Sequence, residues 1–221
     1  MDLKFSAAKS EFKNFVSLVP VVYTKDFKSL TASGKMYFDG WAKGRYNAGS
    51  QPGFGLTLNI DNGAFKYPYM PADVRNVFVD FKVNNPDGIS DHTVVNLSRF
   101  HLEMANNPLD ARLILKTPVS NPDIDASFKG KLDLNTVKQI IPLEKGTNIT
   151  GLILTDLVLK GKYSSVKNEK YDEFTAMGTV NVSNMEYRAT DLKKPIIIRT
   201  MNLTFNPKLV RSEEHTSELQ S

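Results

Sequence analysis

Apolar and polar residues alternate along most of this chain. The ranges 54–61, 77–84, 100–105 and 111–116 place an apolar side chain at every second position, with polar, charged or small residues between. A period of two is typical of a strand that buries one face in an antiparallel sheet. The pattern therefore predicts a mostly β protein, an antiparallel meander of about ten or eleven strands.

Two short segments break this alternation with helical spacing. Apolar residues recur three and four positions apart in 12–19 and in 134–141, and Pro20 and Pro142 follow directly. Because proline lacks an amide hydrogen, each should end its helix. Asp133 is the expected N-cap of the second helix.

The second half of the chain repeats the first. A proline and two asparagines recur at one constant offset, as Pro20 and Pro142, Asn62 and Asn184, and Asn84 and Asn206. A Gly-Asp-Lys-Gly-Tyr motif also recurs, from Gly34 to Tyr46 and from Gly151 to Tyr163. We therefore predict a first β repeat over 1–122 and a second, truncated repeat over 123–210, with one helix in each.

The last residues do not continue the β pattern. The segment 211–221 resembles the translated product of a DNA-sequencing adapter. We expect it to be a disordered tail that is foreign to the fold.

Composition narrows the possible functions. The chain has 221 residues, no cysteine and a formal net charge of +4, so disulfides and thiolate metal sites are excluded. No Lys/Arg block indicates a nucleic-acid partner. The excess of positive charge leaves open a weak attraction to anionic lipid headgroups.

The predicted sheet has too few helices to cover its apolar side. A bare apolar face of this size is unusual on a soluble monomer. It can fold on itself as a sandwich, close as a barrel, or form a trough that holds something apolar. Sequence patterning leaves all three arrangements open.

Several segments resemble the AsmA-like proteins of the Gram-negative cell envelope. The resemblance is carried by 65–71, 77–88, 98–103, 107–112 and 128–134. It implies an internal segment of a larger periplasmic protein, whose inner-membrane anchor lies outside this chain. It also implies an extended, curved antiparallel meander sheet. This sheet would form a repeating β-groove that carries phospholipid towards the outer membrane and affects outer-membrane assembly.

On this hypothesis the groove would be lined by apolar residues of three strands. The candidates for contact with acyl chains are Phe54, Leu56, Leu58, Ile60, Val77, Val79, Phe81, Val83, Leu113 and Leu115. The alternative hypothesis is a structural β domain that assists outer-membrane protein assembly by binding envelope proteins.

No catalytic or metal-binding constellation stands out in the sequence. His92 lies in a polar loop, and His101 has the polar parity of its strand. Asp123 and Asp125 share one side of a strand, but they follow a turn signal. We therefore expect neither an enzyme nor a bound cofactor or metal.

Overall fold

The computed structural model describes residues 1–11, 31–47, 49–66, 71–105, 107–140 and 143–206. These residues form one sheet of ten strands, in which each strand pairs antiparallel with its neighbours in sequence order. The strands are β1 (Asp2–Glu11), β2 (Thr31–Lys43), β3 (Gly53–Lys66), β4 (Val74–Asn85), β5 (Val94–Met104), β6 (Asn107–Lys116), β7 (Asp123–Asp133), β8 (Asn148–Lys162), β9 (Thr175–Arg188) and β10 (Ile196–Phe205). The predicted antiparallel meander is confirmed. Because the ten strands form one open sheet, the described residues form neither a closed barrel nor a two-sheet sandwich.

Two short α-helices interrupt the described part of the meander. Helix α1 (Leu134–Ile140) follows β7, and α2 (Tyr163–Lys167) follows β8. The Asp133 carboxylate accepts a hydrogen bond from the Asn135 amide at 3.0 Å, as expected of an N-cap. The helix predicted near 134–141 is thus confirmed, whereas α2 was not predicted.

Two of the sequence predictions fall on residues that the structure does not describe. The predicted helix at 12–19 and the tail at 211–221 both lie outside the described residues. Two 3-10 helices, η1 (Ser90–His92) and η2 (Tyr171–Glu173), lie in connections between strands.

The same β-bulge occurs at corresponding places of the two predicted repeats. Gly34 of β2 and Gly151 of β8 have φ angles of 111° and 115°. Opposite them, Asn62 of β3 and Asn184 of β9 have φ angles of 50° and 48°. A Cβ atom on Gly34 would lie 2.6 Å from the Cα of the facing strand, and one on Gly151 would lie 2.5 Å away. Such close approach of two backbones requires glycine. The boundary between repeats at 122–123 stays a prediction.

The ends of the strands form two edges of the sheet, which we name by their connections. The turn edge consists of Met1 and the connections 44–47 with 49–52, 86–93, 117–122 and 163–174. The helix edge is opposite, and its described connections are 71–73, 105, 134–140 with 143–147, and 189–195.

The hydrophobic core lies near the helix edge. Ile140 of α1 is buried in one cluster with Met36, Ile60, Val74 and Val77 of β2, β3 and β4. The Ala72 amide, just before β4, donates a hydrogen bond to the Gln139 carbonyl at 3.1 Å. Helix α1 therefore reaches from the end of β7 to the start of β4 across one face of the sheet.

Candidate functional site: an open apolar face

Cross-strand pairing places all ten predicted groove residues on one face. In an antiparallel ladder, directly opposed residues point to the same side of the sheet. Leu56 opposes Val83, Leu58 opposes Phe81, and Ile60 opposes Val79. Through β5 the same register continues to Leu113 and Leu115 of β6. The remaining two, Phe54 and Val77, oppose Asn85 and Gly63 of the same face. We call this the apolar face.

The apolar face continues well beyond the predicted residues. One row runs through nine strands as Ala7, Phe38, Leu58, Phe81, Leu97, Leu113, Ala126, Leu159 and Ala176. A second row is formed by Phe5, Gly40, Leu56, Val83, Val95, Leu115, Ile124 and Gly161. A third is formed by Met36, Ile60, Val79, Phe100, Ala111, Phe128, Leu157, Gly178 and Phe205. No charged or polar side chain interrupts these three rows.

Helix α1 covers only the part of the apolar face nearest the helix edge. Ile60 and Val77 are buried in the cluster around Ile140, and Leu58 and Val79 pack against that cluster. The other six predicted residues lie farther from α1. Phe54 is exposed, and Leu56, Phe81, Val83, Leu113 and Leu115 are half-buried. Among the described residues, no strand or second sheet packs over this part of the face.

The opposite face is mostly polar and carries cross-strand ion pairs. The Arg112 guanidinium contacts the Asp125 carboxylate, which also lies 3.8 Å from Lys160 Nζ. Lys129 Nζ lies 2.7 Å from Asp156, and this hydrogen bond raises the pKa of the lysine. These pairs join β6, β7 and β8. Asp125 thus serves in a surface ion pair.

Each of the two histidines in the described residues contacts a carboxylate. His101 Nδ1 lies 2.7 Å from Asp110 Oδ1 on the polar face, as the alternation of its strand predicted. His92 Nδ1 lies 2.6 Å from Asp87 Oδ2 in the exposed β4–β5 turn, and its hydrogen bond lowers the pKa of Asp87. The described residues contain no group of three or more histidine or acidic side chains placed to hold a metal ion.

Two shallow hollows lie on the polar face. One, of about 330 Å³, contains the Lys129–Asp156 pair, and the other, of about 300 Å³, contains Asn59, Asp80 and Asn96. Asn59 donates to Asp80 at 2.7 Å, whereas Asn96 Oδ1 is buried without a partner among the described residues. Ser98 also lines the second hollow, and its hydroxyl donates to the backbone carbonyl of Asp80 at 3.4 Å, not to a carboxylate.

The turn edge contains none of the residues that the sequence predicted to contact a ligand. Asn85 is fully buried there and makes four hydrogen bonds, and Tyr46 and Val119 are highly exposed. The recurrence of Tyr46 as Tyr163 was a signal that could have drawn attention to this edge.

Comparison with protein-family models, with curated proteins and with solved structures gives no match. The AsmA-like resemblance therefore stays a prediction. In the described residues no helix is both long enough and apolar enough to cross a membrane.

Proposed function

We propose that the apolar face binds phospholipid acyl chains and conducts lipid between membranes. The observation that carries this proposal is the set of three apolar rows, which cross eight or nine strands without a polar interruption. A face of this extent needs an apolar occupant, and the described residues provide one only beneath α1.

The dimensions of the face suit an acyl chain. Neighbouring strands are about 4.8 Å apart, so a row through nine strands extends for roughly 38 Å. Same-face residues along one strand are about 6.6 Å apart, so adjacent rows leave a path about as wide as one chain. Lipid tails would lie along the rows, across the strands.

The mechanism requires no catalytic group. An acyl chain that leaves a bilayer for an equally apolar surface loses little hydrophobic free energy, so it can move along the rows at low cost. The polar headgroup would stay in water, because burying it without partners is costly. The open part of the face, around Leu56, Phe81 and Leu113, would make the contacts. Helix α1 would close the face on one side.

The proposed cellular location of the protein rests on its resemblance to the AsmA-like proteins. The chain would be a periplasmic segment of an envelope protein that is anchored in the inner membrane by a part outside this chain. Its lipid traffic would support outer-membrane assembly. The alternative, a non-catalytic scaffold for outer-membrane protein assembly, predicts that the apolar face binds protein and carries no lipid.

Charge substitution on the two faces of one strand tests the proposal. Leu113→Glu places a carboxylate in the middle of the first row, whereas Ile114→Glu places it one residue away on the polar face. We expect at least a tenfold loss of co-purifying phospholipid in Leu113→Glu, and wild-type levels in Ile114→Glu. Lipid is measured by mass spectrometry of organic extracts, and folding by circular dichroism.

Two results would contradict lipid binding at this face. One is folded Leu113→Glu that retains the wild-type amount of lipid, and the other is wild-type protein that carries no lipid. A charge at Leu58 or Val79 should also abolish lipid binding. These two side chains pack against the core cluster, however, so Leu113 is the cleaner position.

A further inference from the structure

Every connection of the turn edge exposes a large apolar side chain. Tyr46 is 76% exposed in the β2–β3 turn, Ile89 54% in the β4–β5 turn, Val119 70% in the β6–β7 turn and Tyr163 55% after β8. Met1 lies beside the first turn and is also exposed. Since successive turns of this edge are two strands apart, these side chains recur about every 10 Å along roughly 30 Å.

The four turns are joined to one another. The Asp91 carboxylate of the second turn accepts hydrogen bonds from the amides of Val119 and Ser120 in the third, at 3.0 and 2.9 Å. The Tyr163 amide of the fourth connection donates to the Pro122 carbonyl of the third at 2.8 Å.

Two further contacts link the first turn to the second turn and to Met1. Gly88 of the second turn packs so closely on the Gln51 carbonyl of the first that a Cβ would overlap it. The Met1 ammonium donates to the Gly44 carbonyl at 2.9 Å. The exposed apolar side chains are therefore held in one connected row.

Cations accompany the apolar side chains. Arg45 precedes Tyr46, Lys162 precedes Tyr163, and Lys167 follows Val166, which is also exposed. In the described part of the chain none of these three cations forms an ion pair.

The acidic groups of the second turn are engaged within the protein. Asp87 contacts His92, and Asp91 receives the two amides of the third turn. The fourth connection also carries two exposed carboxylates that form no ion pair among the described residues, Glu169 and Asp172. The unpaired charge next to Tyr46 and Tyr163 is therefore positive, whereas that next to Tyr171 is negative.

We propose that the turn edge docks on the surface of a lipid bilayer that contains anionic headgroups. Tyrosine and aliphatic side chains that enter the interfacial layer, flanked by lysine and arginine, are the arrangement by which a peripheral protein binds a membrane. A protein partner fits less well. Protein interfaces have a contiguous apolar centre and few lysines, whereas these side chains are separated from one another, and Tyr46 and Tyr163 each adjoin a cation.

The helix edge provides the contrast. Its described connections expose no large apolar side chain, and the exposed apolar residues nearest to it, Ile196 and Ile197, belong to β10. Docking by the turn edge does not depend on lipid transport along the apolar face.

Vesicle sedimentation tests the docking proposal with the full chain. The probes are vesicles of phosphatidylcholine alone and of phosphatidylcholine with phosphatidylglycerol. The test variant is Tyr46→Ser/Val119→Ser, and the control is Ile196→Ser/Ile197→Ser, which removes two apolar side chains of β10 that are 49% and 61% exposed. Both pairs are exposed, so both variants should fold.

The wild type should bind the anionic vesicles, with weaker binding at high salt. The turn-edge variant should bind about tenfold more weakly or worse, since burial of one such side chain is worth about that factor. The Ile196→Ser/Ile197→Ser control and Leu113→Glu should both bind like the wild type. Loss of co-purified lipid in Leu113→Glu with retained vesicle binding would separate the two proposals.

Three outcomes would overturn docking at this edge. They are no binding of the wild type to anionic vesicles, wild-type binding by the turn-edge variant, and equal loss in both double variants. Self-association of the wild type that Tyr46→Ser/Val119→Ser abolishes, without vesicle binding, would assign the edge to a second copy of the chain.

Discussion

The two edges of the sheet are stabilised by different interactions. At the helix edge, Ile140 of α1 is buried with apolar side chains of β2, β3 and β4. At the turn edge, polar side chains bind backbone groups of the turns, chiefly those of Asn85, Asp91 and Asn121. The apolar residues of the helix edge are therefore needed for folding. The exposed apolar residues of the turn edge are not.

This difference bears on where function lies. Apolar side chains that are buried in a core stabilise the fold, whereas those exposed on the anchored turns remain in contact with water. The half-buried residues of the apolar face between the edges belong with the second group. Both surfaces that we propose to contact lipid are therefore apolar surfaces that the described fold leaves at least partly exposed.

The largest effect should follow truncation at the helix edge. Ile140→Ala removes a side chain that is only 2% exposed and leaves a cavity between α1 and the sheet. We expect a loss of about 3 kcal/mol in the free energy of unfolding, measured by chemical denaturation. Val119→Ala, at the turn edge, should change it by less than about 0.5 kcal/mol. Equal effects of the two substitutions would refute the distinction between the edges.

The next effect should come from the main polar anchor of the turn edge. Asn85 donates to the Ile89 carbonyl at 2.7 Å and to the Thr93 hydroxyl at 2.9 Å, and it accepts from the amides of Asp87 and Gly88. Asn85→Ala leaves these groups without that partner and should cost about 2 kcal/mol in the free energy of unfolding. The neighbouring, exposed Asn84 offers a matched control, and Asn84→Ala should be nearly neutral. Similar losses for both asparagines would show that the turn does not depend on this anchor.

The sequence predicted the strands well and the core poorly. Alternation identified β3 to β6, because a strand with one buried face has apolar residues at every second position. The apolar spacing of α1 showed that it buries one side. That spacing does not show which strands the helix packs against, so the burial of Ile140 in one cluster with Val74 could not be predicted.

Bulges explain why the apolar face was predicted only in part. Val74 and Val77 are both buried in one cluster although they are an odd number of residues apart. The bulge between them, with Asn76 at a φ of 50°, reverses the parity of the strand. A bulge shifts the alternation by one residue but does not show which residues pair, so pairing across strands had to come from the structure. The exposed residues of the turns lie outside any period, and only the recurrence of Tyr46 as Tyr163 signalled them.

The smallest effect should be the pH dependence of the link between the second and third turns. Hydrogen bonds from the backbone, first that of Ser120, lower the pKa of Asp91. The folded state therefore favours the carboxylate. The resulting stabilisation is present at neutral pH and is lost as the pH falls through the lowered pKa, below about pH 4.

Amide hydrogen exchange at Val119 and Ser120, followed by NMR as the pH is lowered, measures this link. Protection should fall a few-fold on acidification in the wild type. In Asp91→Asn it should be lower at neutral pH and should change little with acid, since the amide oxygen still accepts but carries no charge. The Ile89 amide, which donates to Asp87, provides an internal reference that Asp91→Asn should leave unchanged. If protection at Val119 does not respond to acid in the wild type, this carboxylate does not hold the two turns together. The second and third turns of the turn edge would then not be linked by the Asp91 side chain.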